Sequence, residues 1–420
     1  MSKYFLNFVF QSTLQMYKSR MFFRESVLQT LVVLLGLCLM SLASCNDSHE
    51  KETQKGIRTL LMYLPYSTDL QNILQTNMND LLAGVEEMGG MGETRVLAFY
   101  ASSSSKAVLY EMKEEKNKLF WQEQKTYIDL PYTTVEGLQQ VFEEVTRRAP
   151  ALHYSLIIGG HGMGWIPKQY VNSKSKGWGT DTTDIRMHWD YQDGEWHSRM
   201  FGGLTASVQT DVTTLRDAMK NAGFHTDYIL FDACYMGNVE TAYELKDVTD
   251  FLVASSMEIS SMGVPYRQAA PYLLGSPDYE KICQTYLSHY STFYAMMSVV
   301  ECKQLDFLAQ IIGEVLQSCP WQESMRKKIQ TMDGYSPSVF FDLGDYVAQL
   351  GPDEFMKARF DLAMQLAVPV KVSTPRGWSA MTGPFDVHAY SGLTTSAPSI
   401  SPYVSAYQET SWAQRLLYRK

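Results

Sequence analysis

The sequence predicts an α/β protein, a mostly parallel sheet with helices on both faces, followed by a mainly helical C-terminal region. Three observations lead there. Short apolar runs of strand length alternate with amphipathic helical stretches from Ile57 onward. Two of these runs break off at residues that carry chemistry: Tyr154-Ser155-Leu156-Ile157-Ile158 ends in Gly159-Gly160-His161-Gly162, and Tyr228-Ile229-Leu230-Phe231 ends in Asp232-Ala233-Cys234. From Asp278 the period becomes mainly helical. With 420 residues, 45% of them hydrophobic, and a formal charge of −9, the chain suffices for one large α/β domain or two smaller ones. The acidic balance argues against a phosphate-binding surface, so no nucleic-acid partner is expected, and it is compatible with cationic substrates, although so modest a net charge is usually a matter of solubility.

The N-terminal stretch reads as a processing segment. Leu31 to Ala43 is uncharged, follows Arg20 and Arg24, and closes on Leu42-Ala43-Ser44-Cys45. This run has signal-peptide length and falls short of the ~20 residues a membrane span needs. The closing tetrad resembles a bacterial lipobox. That implies loss of residues 1–44, a lipid on Cys45, and a periplasmic or cell-surface protein of the bacterial envelope. A short anchor, or a plain signal with a chance cysteine, is the alternative. Aromatic residues before Met21 are unusual in a signal, so translation can start at Met1 or at Met21. Residues 45–56 are polar and read as a tether.

A first strand is predicted over Thr59–Leu64, an amphipathic helix over Asp69–Gly84 and a strand over Thr94–Tyr100, together a βαβ unit. A hairpin or excursion follows over Ala107–Tyr127, then a helix over Thr134–Arg148 leading to the His161 strand. Residues 165–203 hold Trp165, Trp178, Trp189 and Trp196 among glycines and charges without a sustained period, and so long a loop is commonly functional or disordered. A helix over Thr213–Asn221 leads into the Cys234 strand. Val239–Leu245 reads as the helix after it and Asp250–Ser256 as the next strand. Residues 57–275 are therefore assigned to an α/β domain, the one that carries His161 and Cys234, and 276–420 to a helical region packed on it, with helices over Tyr279–Tyr294, Lys303–Gln317, Gln322–Thr331 and Asp353–Val368.

A histidine and a cysteine at two strand ends suggest one cleft, because open α/β sheets place their chemistry beyond the carboxyl ends of the strands. A cysteine attacks as its thiolate, and His161 would take the Cys234 proton and later give it to a leaving amine. Gly162, lacking a side chain, would let its N–H approach a carbonyl oxygen and form an oxyanion hole with the Cys234 N–H. Taken singly, either residue is more often structural, since an apolar context usually makes a cysteine a small core residue. Asp232 has the alternative of capping a turn or orienting the loop.

The two segments, His161-Gly162-Met163-Gly164-Trp165 and Asp232-Ala233-Cys234-Tyr235-Met236-Gly237-Asn238-Val239-Glu240, resemble the clostripain-type cysteine peptidases, relatives of caspases, gingipains and legumains. Ser336 to Tyr346 and the Trp412 tail resemble that family's C-terminal region. The resemblance implies a caspase-like fold, a His161/Cys234 dyad and cleavage after Arg or Lys, with Asp232 lining the primary specificity pocket. It also implies activation by a cut between His161 and Cys234, for which Lys174 and Lys176 are the most accessible candidates beside an ordinary surface insertion. Calcium supports some members, but no EF-hand-like acidic loop is visible, and no cofactor is required. Gly159-Gly160 departs from the family and is expected to loosen that side of the cleft, and Met163 stands where a small residue is common. Glu258 is expected at the rim or in solvent. His188, Asp190 and His197 match no zinc spacing, so no metal site is assigned. Cys283, Cys302 and Cys319 show no paired spacing. The chain is expected to act as a monomer on protein or peptide substrates. An acyl-transferring relative and an inactive surface binding protein on the same scaffold are the competing functions.

Overall fold

Alternation within the first strand decides the architecture. In β1 (Gly56–Leu64), Leu61 and Tyr63 belong to one apolar cluster while Leu60, Met62 and Leu64 belong to another. A strand buried on both faces needs a helical layer on each side. The computed structural model, which describes residues 56–168, 201–203 and 206–417, supplies both layers. The expected signal and Cys45, nearly all of the tether, Lys174, Lys176, His188, Asp190 and His197 lie outside the described residues. No helix among the described residues is long and apolar enough to cross a membrane.

The remaining strands are β2 (Thr94–Ala101), β3 (Lys106–Glu115), β4 (Lys118–Ile128), β5 (Ala151–Gly159), β6 (Phe201–Gly202), β7 (Gln209–Thr210), β8 (Thr226–Asp232), β9 (Thr249–Ala254), β10 (Met296–Glu301), β11 (Phe341–Asp342), β12 (Val370–Ser373), β13 (Arg376–Ser379), β14 (Gly383–Asp386) and β15 (Thr394–Thr395). Nine of them form one sheet in the order β12-β10-β9-β8-β5-β1-β2-β3-β4. The centre, from β9 to β2, is parallel. Both flanks are antiparallel, and the expected excursion over 107–127 is the β3–β4 hairpin at one edge.

The helices are α1 (Gln71–Glu87), α2 (Val135–Arg148), α3 (Val212–Ala222), α4 (Val239–Leu245), α5 (Tyr266–Leu273), α6 (Tyr279–His289), α7 (Leu305–Ser318), α8 (Leu343–Gln349), α9 (Glu354–Ala367) and α10 (Ser411–Leu417). α1, α5 and α6 cover one face of the sheet. α2, α3 and α4 cover the other, where α7, α9 and α10 join them. Their starts follow capping rules, with the side chains of Thr134, Asn238, Asp278 and Asp353 accepting backbone N–H groups of the first turns of α2, α4, α6 and α9.

The C-terminal region is helical as expected, and it also completes the sheet: β10 pairs with β9, and β12 with β10. The described residues accordingly belong to one compact unit. The helix predicted over Gln322–Thr331 is a short 3₁₀ turn over Glu323–Lys328. None of its residues is buried, so no apolar face exists to hold a longer helix. Cys283 and Cys302 are buried free thiols whose pKa values burial pushes up to about 12, which makes them inert core residues.

One buried carboxylate gives a stability prediction. Glu240 on α4 accepts the Thr395 hydroxyl at 2.7 Å and the Ser396 N–H at 2.9 Å through Oε1, whereas Oε2 has no partner among the described residues. Burial pushes its pKa up to about 7. A carboxyl with a raised folded-state pKa contributes stability below its unfolded pKa, and that contribution is lost as pH rises through the folded value. Glu240→Gln is therefore expected to gain on the wild type in melting temperature between pH 5 and pH 8. Thermal melts at unit pH steps check this, and a constant offset would contradict it.

Candidate active site

Strands β8, β5 and β1 lie side by side, and the chain beyond their carboxyl ends supplies Cys234, His161 and Asp69. All three line one small cleft, open to solvent, together with Asn77, Asp232 and Glu258.

The cysteine turn is locked from several directions. β8 ends at Asp232, and Tyr235 adopts a left-handed φ of 59°, uncommon for a bulky residue. Its N–H donates to the Met257 carbonyl at 3.1 Å, its hydroxyl donates to Glu258 Oε1 at 2.6 Å, and its ring stacks on Phe340 at 4.8 Å. The Asn238 amide donates to the Tyr235 carbonyl, and its oxygen accepts the Thr241 N–H, both at 2.7 Å, which starts α4. Such over-determination is what holds a strained backbone in place. Cys234, just before the turn, is half-buried, and the Ile259 N–H donates to its Sγ at 3.5 Å. A donor there favours the thiolate.

The histidine loop interlocks with this turn through two glycines. A Cβ on Gly162 would overlap the Cys234 carbonyl and come within 2.9 Å of the Cys234 amide nitrogen. Gly164, at φ 62°, lies so close that a Cβ would sit 2.9 Å from the Tyr235 carbonyl. The backbones of the two loops are therefore in direct contact, with the Gly162 and Cys234 peptides adjacent. His161 is buried, and its backbone N–H and carbonyl are both bonded to Gly202, at 3.0 and 3.2 Å. Its Nε2 lies 2.7 Å from Asp69 Oδ1.

Asp232 faces the same cleft and is 4% exposed. It accepts the Val264 N–H at 3.0 Å through Oδ1. Oδ2 accepts the Tyr266 hydroxyl at 2.8 Å and, more weakly, the Asn77 amide at 3.5 Å. Burial outweighs these bonds and pushes its pKa up to about 6. No cationic side chain among the described residues pairs with it.

The model of the clostripain family (peptidase C11) matches residues 205–351. A secreted C11 cysteine protease from Bacteroides thetaiotaomicron, "iotapain", is 38% identical to the chain, with 86% of this chain and 99% of that one covered and a TM-score of 0.78. The chain belongs to the clostripain family of cysteine peptidases. A Bacteroides thetaiotaomicron clostripain in complex with a peptide inhibitor, BTN-VLTK-AOMK, is 42% identical over 51% of this chain and 98% of that one, with a TM-score of 0.51. The inactive zymogen of a Parabacteroides distasonis C11 protease, 22% identical over 86% of this chain and 99% of that one, shares the fold at a TM-score of 0.70. Among curated proteins, none matches the chain.

Of the four site residues singled out from the sequence that are described, His161, Asp232 and Cys234 line this clostripain-family cleft, and Gly162 packs against the Cys234 peptide. Two expectations change. Glu258 is buried, and its Oε1 also accepts the Ser379 hydroxyl at 3.0 Å and the Ala380 N–H at 2.9 Å, so it braces the cysteine turn and is not solvated. Gly159 and Gly160 do not loosen the cleft. Neighbours close in on both, since a Cβ would lie 2.8 Å from Leu64 on Gly159 and 2.7 Å from Ser67 on Gly160. Met163 is buried, with the Tyr335 hydroxyl donating to its sulfur at 3.4 Å. Among the described residues no group of three or more His, Cys, Asp or Glu side chains could hold a metal ion. Asp69 and Tyr266 went unassigned in the sequence. For Asp69 the available signal was its place in the turn after a strand parallel to the histidine strand.

Proposed function

We propose that this cysteine peptidase hydrolyses peptide bonds after Arg or Lys through His161 and Cys234. The observation that carries the proposal is the buried Asp232 carboxylate, which faces the cleft beside Cys234 with hydrogen-bond donors but no cation of its own. A buried charge without a partner is costly, so a cleft-facing carboxylate that no protein cation satisfies is suited to receive one brought by the substrate. The peptide inhibitor held by the Bacteroides thetaiotaomicron clostripain, BTN-VLTK-AOMK, carries lysine next to its AOMK group and supports the same preference.

In the proposed reaction the substrate's basic side chain reaches Asp232 and sets the following carbonyl against Cys234. The thiolate attacks the carbonyl carbon, with the thiol proton on the His161 imidazole. The oxyanion is taken up between the Gly162 and Cys234 N–H groups, a pairing that the close packing of the Gly162 and Cys234 peptides supports. The C–N bond breaks as imidazolium protonates the leaving amine. Water, deprotonated by His161, then cleaves the thioester and regenerates the thiol. A fluorogenic panel varying the residue before the scissile bond tests this; preference for a neutral residue there would remove the role of Asp232.

Self-activation by a cut between His161 and Cys234, at Lys174 or Lys176, belongs to the same proposal. Incubated wild type is expected to become nicked and Cys234→Ala to stay intact. The pieces should co-elute on gel filtration and separate only in denaturant, because β5 and β8 on opposite sides of the cut pair over five positions from Ser155/Tyr228 to Gly159/Asp232. Equal nicking of both proteins would exclude self-cleavage. Export and lipid anchoring rest on Leu42-Ala43-Ser44-Cys45 and place the enzyme at the bacterial envelope; retention of Cys45→Ala in the membrane fraction would refute the anchor.

A further inference from the structure

We propose that Asp69 is a positioning residue for His161, so that the site works as a Cys234–His161–Asp69 relay spread over three adjacent strand ends. The inference rests on the peptidase reading and deepens it. Asp69 lies in the 3₁₀ turn Thr68–Leu70 beyond β1, the strand that neighbours β5 on the side away from β8. Its Oδ1 is 2.7 Å from His161 Nε2, a charge-assisted hydrogen-bond length, and also accepts the Thr68 hydroxyl at 3.0 Å.

A second observation indicates that the carboxylate is held there on purpose. Thr68 has φ 52°, a conformation a β-branched residue rarely adopts. The turn is fixed by its surroundings: the buried Ser67 hydroxyl donates to the Pro65 carbonyl at 3.0 Å, the Ser67 N–H donates to Gln71 Oε1 at 3.1 Å, and the Leu70 N–H donates to the Ser67 carbonyl at 3.1 Å. Local strain of this kind clusters where a side chain must be aimed.

The chemistry follows from the ring. A carboxylate on Nε2 selects the tautomer with the proton on that nitrogen and assigns exchange with the thiol to Nδ1. It also stabilises imidazolium, and with it the thiolate whose proton the ring has taken. The other titratable groups lining the cleft are Asp232, Glu258 and Cys234. Asp69 is 39% exposed in its side chain, so solvent screens the pair and its effect stays below that of a buried triad acid.

The test is Asp69→Asn in the full chain, read in two ways. Steady-state kinetics on an Arg substrate should show kcat reduced roughly tenfold to a hundredfold with KM little changed. Alkylation of Cys234 by iodoacetamide, followed against pH, should lose part of its reactivity at neutral pH, where thiolate depends on imidazolium. Asp69→Glu should recover part of both. The alkylation needs no substrate, so it reads Asp69 even where the specificity given to Asp232 fails. Should Asp69→Asn fold poorly, ¹⁵N NMR of wild-type His161 decides: a proton on Nε2 in the neutral ring is expected, and one on Nδ1 overturns the proposal. Unchanged alkylation and kcat in Asp69→Asn also overturn it, as does higher activity, which would make Asp69 a brake.

Discussion

Gly162→Ala is expected to lower kcat by about a hundredfold to a thousandfold, the loss that follows removal of one oxyanion donor. The reason is steric. The new methyl group would overlap the Cys234 carbonyl and press on the Cys234 nitrogen and the Ala233 Cβ, each within 2.9 Å. Neither side can yield cheaply. On one side Tyr235 is tied to Met257, Glu258 and Phe340. On the other, the His161 backbone is clamped to Gly202 by two hydrogen bonds. The loops must therefore part, and the two N–H groups separate. Overpacking typically costs roughly 1–3 kcal/mol of stability, and a clash with backbone puts this variant at or above the top of that range. Alkylation of Cys234 by a small reagent should persist, since the sulfur and the imidazole remain. Kinetics and a thermal melt on one preparation separate the effects, and a kcat within tenfold of wild type would mean that the donor pair does not depend on this contact.

The parts of the site that lie on strand ends were legible in the sequence, and the parts that reach it by folding back were not. His161 and Cys234 each follow an uncharged run that can only be buried, so their placement at the end of a parallel sheet follows from strand direction. Asp232 shares that strand. Glu258 reads as a polar residue in a serine-rich turn, and nothing local reveals that Tyr235, Ser379 and Ala380 converge on it from distant segments. The same limit applies to the sheet. The parallel centre is visible as βαβ alternation. Membership of β10 and β12 is not, because Met296–Glu301 and Val370–Ser373 are short runs that follow helices, and only tertiary pairing of β10 with β9, and of β12 with β10, makes them strands of this sheet. Gly159 and Gly160 misled for a related reason: a missing side chain looks like space, yet Leu64 and Ser67 occupy it.

Asp232→Asn is expected to reduce kcat/KM for Arg and Lys substrates by roughly two to three powers of ten while leaving stability close to wild type. Removing one partner of a buried, hydrogen-bonded charge pair costs about 2–5 kcal/mol, and each 1.4 kcal/mol is a factor of about ten. Stability is spared because the carboxylate is itself unfavourable in the empty enzyme: burial holds its pKa at about 6, above the ordinary carboxylate range. By linkage, ionising it as pH rises through that value takes stability away. Asparagine keeps an oxygen for the Val264 N–H and an NH₂ that can donate to the Tyr266 hydroxyl, without the charge. The same pKa sets a pH dependence. A substrate cation needs the ionised form, so kcat/KM for Arg substrates should fall about tenfold per pH unit below about 6 in the wild type, and Asp232→Asn should lose that limb. Activity on a peptide with a neutral residue at the cleavage position should change little in the variant. Asp232→Asn cleaving basic and neutral peptides in the wild-type ratio would show that the cation is bound elsewhere, and the carboxylate would then be left with the task of ordering the 263–266 turn.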